Sequence, residues 1–333
     1  MPTPLRLACL PLLLALAACE EPPLPAPPAD LGKMEPLAPS PEKAQAAAEK
    51  EALDEGEVVE GAIRLSWKLP PGEKVLGFRI ATRPGPGKQK ALDIDLRKAP
   101  GLKRVDRRVL KMLCPMQLPA HFTLTGVMEP MGEYGTYSVR YVLGKIKRGH
   151  LPRHKLMAKL LRQLQGKVVL TAEIAKSGAV LDVSSGFADR NILTYLFEMP
   201  GKPVREGETW KLDLSHFSSI LFERKKLDEK AEAELVKIET TEQGSLATIR
   251  HRAHSRMQGE FAKLATKPVR QSLSYEFRGQ GVFDVGRGCW KSYSGRYKAR
   301  AKGLFSYRQD LRLRFEPLKQ VSPELLAASR AKP

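Results

Sequence analysis

The stretch that decides the fold is Ser272–Ala301, SLSYEFRGQGVFDVGRGCWKSYSGRYKARA, in which apolar or aromatic side chains alternate with polar ones on both sides of a turn. Alternation with a period of two is typical of β-strands that bury one face. The turn is supplied by Gly286-Arg287-Gly288, since glycine tolerates the backbone angles that tight turns require. The stretch therefore predicts a long antiparallel hairpin, Ser272–Val285 with Cys289–Ala301.

The same alternation recurs on both sides of this hairpin. Upstream, Ala231–Glu239 and Ser245–Met257 predict a second hairpin, and downstream Leu304–Phe315 predicts a strand that closes the sheet. Shorter strands are predicted in the N-terminal half at Ile63–Leu69, Val75–Ile80, Leu92–Leu96, Tyr137–Leu143, Val168–Ala175 and Ala179–Val183.

Three segments have helical features instead. Apolar residues recur at helical spacing over Leu156–Leu164 before Gly166, and helices are also expected at Ala188–Met199 and Pro323–Arg330. Together these elements predict a mainly β (α+β) fold, a curved antiparallel sheet or half-barrel of about ten strands with two or three helices. Residues 61–333 suit one domain, with two related halves as one arrangement and two β domains divided near residues 145–155 as another.

The N-terminus has the features of an export signal. Arg6 precedes an apolar run that ends at Cys19 and is too short to span a bilayer, which is typical of a secretory signal. Leu16-Ala17-Ala18-Cys19 resembles the lipobox of bacterial lipoproteins; the alternative is an ordinary signal with an accidental cysteine. The resemblance implies cleavage after residue 18, lipidation of Cys19 and a membrane anchor. Because Glu20 rather than aspartate follows Cys19, the periplasmic side of the outer membrane is favoured over the inner membrane.

Residues 19–60 predict a lipidated cysteine followed by a disordered tether. They are rich in Pro, Ala and Glu, and residues 20–60 hold 11 acidic and 3 basic side chains, net −8. Residues 61–333 hold 52 basic and 26 acidic side chains, net +26. Such a field favours polyanionic partners: anionic lipid, lipopolysaccharide or cell-wall polymer, whereas nucleic acid is not expected in an envelope. Protein partners and oligomeric state do not follow from these residues.

Two cysteines remain after the signal and the lipidated residue are set aside. Cys114 and Cys289 are therefore a candidate disulfide in an oxidising compartment. The alternative is a pair of buried free thiols.

The run Pro200-Gly201-Lys202-Pro203-Val204-Arg205-Glu206-Gly207-Glu208-Thr209-Trp210 resembles a P-x-x-P-V-x-x-G-x-x-W signature of uncharacterised lipid-anchored or secreted bacterial β-rich proteins. The resemblance implies a β-rich fold and an envelope location and carries no activity with it. Taken as structure, Pro203 and Gly207 shape a turn and Trp210 anchors the next strand in the core.

Catalytic and metal-binding patterns do not stand out. The chain contains no G-x-S-x-G, P-loop or H-E-x-x-H pattern. His251 and His254 are three apart on a predicted strand, which directs them to opposite faces. No cofactor and no metal are expected, and a hydrolase of unrecognised type is the third reading of the function.

The clearest pattern is a set of alternating cations on three predicted strands. If these strands are neighbours, the cations form one positive surface, a candidate anion-binding face. Its residues are Arg250, Arg252, Arg256, Arg296, Lys298, Arg300, Lys302, Arg312 and Arg314. Asp310, Glu276 or the acidic tether could neutralise this surface, which would make it an ordinary solvated sheet face.

Two functions fit these features. The first is a non-catalytic binding or scaffold module of the envelope that docks through the basic surface. The second is a carrier of lipid or another hydrophobic ligand, in which the apolar side chains of Leu304–Phe315 line a half-barrel cavity instead of a filled core.

Overall fold

The computed structural model describes residues 61–70, 72–95, 97, 121–131, 135–147, 155–185, 196–212, 223–242, 244–260 and 270–331. These residues form twelve β-strands and two α-helices. The strands are β1 Leu76–Pro84, β2 Lys90–Ile94, β3 Thr123–Met131, β4 Thr136–Leu143, β5 Val168–Ile174, β6 Val180–Ser185, β7 Thr209–Lys211, β8 Glu223–Thr241, β9 Gly244–Glu260, β10 Arg270–Asp284, β11 Cys289–Lys302 and β12 Phe305–Pro317. The helices are α1 Lys155–Leu164 and α2 Pro323–Arg330.

All the strands lie in one antiparallel sheet that is not closed into a barrel, which confirms the predicted mainly β class. The strand order is β6-β5-β4-β3-β1-β12-β11-β10-β9-β8-β7, and β2 pairs with β12 beside β1. Strands from both sides of residues 145–155 therefore share one sheet. The last strand lies at its centre rather than at its edge, because β12 pairs with both β1 and β11.

The hairpins follow the sequence pattern closely. β8 pairs with β9 and β10 with β11, and β5 pairs with β6 across residues 175–179. Helix α2 has the predicted bounds, and the Ser322 hydroxyl caps it by accepting a hydrogen bond from the backbone N–H of Leu325 at 3.2 Å. Of the helix predicted at Ala188–Met199, residues 188–195 lie outside the described part of the chain.

The prediction of a strand at Ile63–Leu69 is wrong. Only Ile63 forms a β-bridge, to Val204, although Leu65 and Trp67 are buried as the alternation indicates. The segment crosses the apolar side of the sheet instead, because the Trp67 indole is held there by a hydrogen bond from Nε1 to the Phe197 carbonyl at 2.8 Å. Alternating burial marks an extended segment, but a ladder also needs a neighbouring strand with free backbone groups.

The core lies on the apolar side of the sheet, where aromatic rings contact one another. Trp67 packs on Phe197 with ring centroids 4.6 Å apart and on Phe283 at 5.6 Å, and Phe283 packs on Trp290 at 5.3 Å. All four side chains are fully buried. This packing fixes which side of the long strands faces inward and thereby directs the alternate side chains outward.

Two glycines in β10 make room for a ring on the same apolar side. A Cβ atom at Gly279 would lie 2.1 Å from the hydroxyl of Tyr293, and one at Gly281 would lie 2.5 Å from the same ring. The Tyr293 hydroxyl can therefore reach across β10 to share a hydrogen bond with Nδ1 of His251 at 3.1 Å. Burial lowers the pKa of His251 to about 3, so this imidazole is neutral at pH 7.

Candidate anion-binding face

One face of the sheet carries the basic side chains of β9, β10, β11, β12 and β1, and we call it the basic face. Alternation separates it from the core: in β9, Arg252 and Arg256 are exposed whereas Ala253 and Ser255 are buried. All nine predicted cations lie on it, and it also carries Arg79, Arg83, Arg278 and Arg308.

Strand register aligns five arginines into one line across the basic face. Arg252 faces Arg278, Arg278 faces Arg296, Arg296 faces Arg312, and Arg312 faces Arg83. We call these five residues the arginine row. Directly opposed residues on antiparallel neighbours have Cα atoms about 4.5–5.5 Å apart, and like charges at that spacing repel. The row is therefore a dense positive field that the packing of the opposite face holds in place.

A second cation row lies on the same face, four residues along each strand. It consists of Arg256, Arg300 and Arg308, with Ser274 paired between the first two. The arginine row is the longer and is unbroken by a neutral residue.

Asp310 is the best-bound counter-charge of the basic face. Its carboxylate is almost fully buried and accepts hydrogen bonds from Arg296 Nε at 2.8 Å, Arg296 Nη2 at 2.6 Å and the backbone N–H of Gly87 at 2.7 Å. Hydrogen bonding from Arg296 holds the pKa of Asp310 below its ordinary value. Asp310 therefore fixes the Arg296 guanidinium and ties the loop after β1 to β12.

Glu276 is a second counter-charge. It accepts a hydrogen bond from Lys298 at 3.2 Å and pairs with Arg278 at 2.7 Å. Burial by itself would raise the pKa of Glu276, but Lys298 and Arg278 together bring it below the ordinary value. The structure thus confirms that Asp310 and Glu276 supply counter-charge to part of the face.

The counter-charges leave most of the face positive. Within the described residues, no carboxylate pairs with six exposed cations of the two rows: Arg83, Arg252, Arg256, Arg300, Arg308 and Arg312. At the β8 end the face becomes acidic, because Glu232 faces Arg252 and Glu234 faces Arg250.

The basic face is grooved rather than flat. One open depression of about 1000 Å³ runs along the arginine row, with Gln280 and Ser294 between the arginines. A second of about 1060 Å³ lies between the arginine row and the second cation row and is bordered by Gly87 and Lys88 of the loop after β1. These depressions give the charge pattern a concave shape.

Two members of the arginine row were missed in the sequence. Arg278 lies two residues after Glu276 in the predicted strand Ser272–Val285, so both side chains point to the same face of the sheet. The alternation in that strand could therefore have revealed Arg278. The strand predicted at Val75–Ile80 ends before Arg83, whereas the observed strand β1 continues to Pro84. Extending the alternation past Ile80 would have included it.

The candidate disulfide stays a prediction, because Cys114 lies outside the described residues. Within the described residues, Cys289 is a buried free thiol. Burial raises the pKa of the Cys289 thiol to about 11, so it is protonated at neutral pH. The reason is its position at the start of β11 beside the fully buried Trp290, where the packed core encloses the sulfur.

His251 and His254 lie on opposite faces, as predicted, because one is buried and the other exposed. In the part of the chain that the structure describes, no three His, Cys, Asp or Glu side chains are grouped as metal ligands.

Cys19 and the rest of residues 1–60 lie outside the described residues, so lipidation and the tether stay predictions. Among the helices that are described, none has the length and apolar character needed to cross a membrane. No protein-family model matches the chain, and none of the curated proteins compared with it is similar. The resemblance of the Pro200–Trp210 run therefore also stays a prediction.

Proposed function

We propose that the protein is a non-catalytic binding module of the cell envelope, anchored through lipidated Cys19, whose basic face docks on anionic envelope components. The observation that carries this proposal is the arginine row, in which five strands each contribute one guanidinium to a continuous line. Guanidinium groups bind phosphate and carboxylate through paired hydrogen bonds. A packed sheet gains nothing from aligning like charges, so an external anion is the natural source of compensation.

The test uses residues 20–333, which include every described residue. Binding to vesicles that contain anionic lipid and to soluble anionic polymers is measured at low and high salt. We expect binding that weakens as salt rises, because the contacts are between charges. Absence of binding to every anionic surface and polymer at low salt would reject the proposal.

Charge-matched variants separate the face from the overall charge of the protein. The row variant is Arg252→Gln, Arg278→Gln and Arg312→Gln; the off-face variant is Arg162→Gln, Arg205→Gln and Arg287→Gln, all exposed positions outside the basic face. Both remove three positive charges. The proposal expects a large loss only in the row variant, and equal losses would mean that net charge alone drives binding.

A lipid carrier is the second candidate, and the open sheet with an apolar side supports it. A carrier needs space on that side, however, and Trp67, Phe197, Phe283 and Trp290 are packed there with no exposed surface. This packing favours the docking module. Organic extraction of the purified protein followed by mass spectrometry distinguishes the two, because a carrier would yield lipid in stoichiometric amounts that high salt does not remove.

A further inference from the structure

The arginine row has the dimensions of an extended ligand rather than of a single anion. Its five members lie on five adjacent strands, so the row crosses the sheet at right angles to the strands. With strands about 4.8 Å apart, four intervals span roughly 19 Å. One phosphate group can contact one or two of these arginines, whereas a chain of phosphates can contact all of them.

The row combines fixed and unpaired guanidinium groups. The almost fully buried Asp310 holds Arg296 by two hydrogen bonds, so the centre of the row is ordered before any ligand arrives, whereas the pair of Arg278 with Glu276 is largely exposed. The other members, Arg83, Arg252 and Arg312, are exposed and pair with no carboxylate within the described residues. Ordering before binding reduces the entropy that a ligand must overcome.

The groove along the row has a polar floor. Gln280 and Ser294 are exposed and lie between Arg250 and Arg314 in the next line of the same face. Both side chains can donate hydrogen bonds to an anion and neither repels it. The groove of about 1000 Å³ is therefore lined by these two donors, by the guanidinium groups of the arginine row, and by Glu316, whose charge is paired with Arg314.

Shape distinguishes a polymer from a membrane. A bilayer presents its headgroups in a plane and meets the rim of a concave face first, whereas a single chain can lie along the floor. The acidic residues Glu232 and Glu234 of β8 lie at one end of the groove, where they would repel a continuous anionic plane but only limit the length of a bound chain.

We propose that the basic face binds a linear phosphate-bearing polymer, which lies across the strands along the arginine row. This inference rests on the proposed docking function and narrows its ligand to one class. Arginine forks bind each phosphate through two hydrogen bonds, and the polar floor accommodates the chain between them.

The experiment compares inorganic phosphate, tripolyphosphate and long-chain inorganic polyphosphate as ligands of residues 20–333 by calorimetry. We expect affinity per chain to rise with length until the chain spans the row, about 19 Å. Poly-glutamate of equal charge is expected to bind more weakly, because each carboxylate lies at the end of a flexible side chain that loses conformational entropy on binding.

Three variants locate the polymer. The row variant defined above is expected to lose about 100-fold in affinity for long polyphosphate, because three cations are removed and each contributes about fivefold. A same-face variant, Arg256→Gln, Arg300→Gln and Arg308→Gln, is expected to lose less than tenfold in affinity for long polyphosphate. The off-face variant is expected to lose less affinity than the same-face variant. Circular dichroism of each variant verifies that the sheet is intact.

The outcomes separate the inference from the function on which it rests. Equal losses in the row and same-face variants, or no gain in affinity with chain length, would overturn the polymer site. Binding to anionic vesicles that long polyphosphate cannot displace would overturn it too, while leaving the docking function in place. Binding to neither polymer nor vesicles would overturn both.

Discussion

The substitution Asp310→Asn tests whether the buried carboxylate organises the basic face. In the native protein this carboxylate accepts two hydrogen bonds from Arg296, at 2.8 and 2.6 Å, and one from the Gly87 backbone at 2.7 Å. Asparagine has a similar size and can still accept from Gly87, but it presents an amide N–H group to the guanidinium. The hydrogen bond from Arg296 Nε is therefore lost, and the bond from Nη2 loses the negative charge of its acceptor, because the same oxygen accepts from Gly87 and from Nη2.

The expected loss is about 2 kcal/mol in the free energy of unfolding at pH 7. A hydrogen bond to a charged group contributes about 1.5–3 kcal/mol, and the exposure of Arg296, about 40% of its side chain, places the pair towards the lower limit. The matched control is Glu316→Gln on the same strand, because Glu316 pairs with Arg314 at 2.7 Å and both side chains are exposed. The control is expected to lose less than about 0.5 kcal/mol.

The pH dependence supplies an independent readout. The pKa of Asp310 is lower in the folded protein than in the unfolded chain, so its contribution is present above the unfolded value of about 3.9 and is lost as pH falls through the folded value. Urea denaturation of both variants and the native protein measures the effect. The difference between native and Asp310→Asn protein should shrink below pH 4. Equal losses for Asp310→Asn and Glu316→Gln at pH 7 would refute the structural role of Asp310.

Three further predictions concern the apolar side of the sheet. Because the pKa of His251 is lowered to about 3 by burial, stability should fall between about pH 6.5 and pH 3 by up to about 1.4 kcal/mol per pH unit. Replacing His251 by Phe should remove that slope in urea denaturation, and identical slopes would contradict the buried neutral imidazole. Gly279→Ala should destabilise the protein by about 1–3 kcal/mol, since its Cβ would lie 2.1 Å from a buried tyrosine hydroxyl; Gly286→Ala, with a nearest atom at 3.4 Å, should be close to neutral in the same thermal melts. In a Cys114→Ser variant of residues 20–333, Cys289 should react with a thiol reagent only after denaturation, because its pKa is about 11 and it is buried; rapid labelling of the native protein would show that the thiol is accessible.

Local pattern predicted the hairpins well because their signals are adjacent in the chain. The turn Gly286–Gly288 and the alternation on either side of it predict β10 and β11 without knowledge of the rest of the protein. The position of β12 could not be predicted in the same way. Its neighbour β1 is more than 200 residues away, and no local feature specifies that contact.

The candidate site was only partly predictable for a related reason. Parity shows that Arg252, Arg296 and Arg312 point to the same face, but it does not show that they form a line. That alignment depends on the register between strands and on the β-bulge at Val282/Phe283, which the packing of the core determines. The alternation of apolar and polar residues around Trp67 likewise predicts a strand, although this segment crosses the apolar side of the sheet without joining it.

The salt dependence of polyphosphate binding tests the central claim most directly. The logarithm of the affinity of residues 20–333 is measured against the logarithm of salt concentration and compared with that of the row variant. Each phosphate contact contributes about 0.7 to the slope for a flexible single chain, so the loss of three arginines should reduce its magnitude by about 2. We predict that reduction in the row variant and less than half of it in the off-face variant. An unchanged slope in the row variant would contradict the assignment of anion binding to the arginine row.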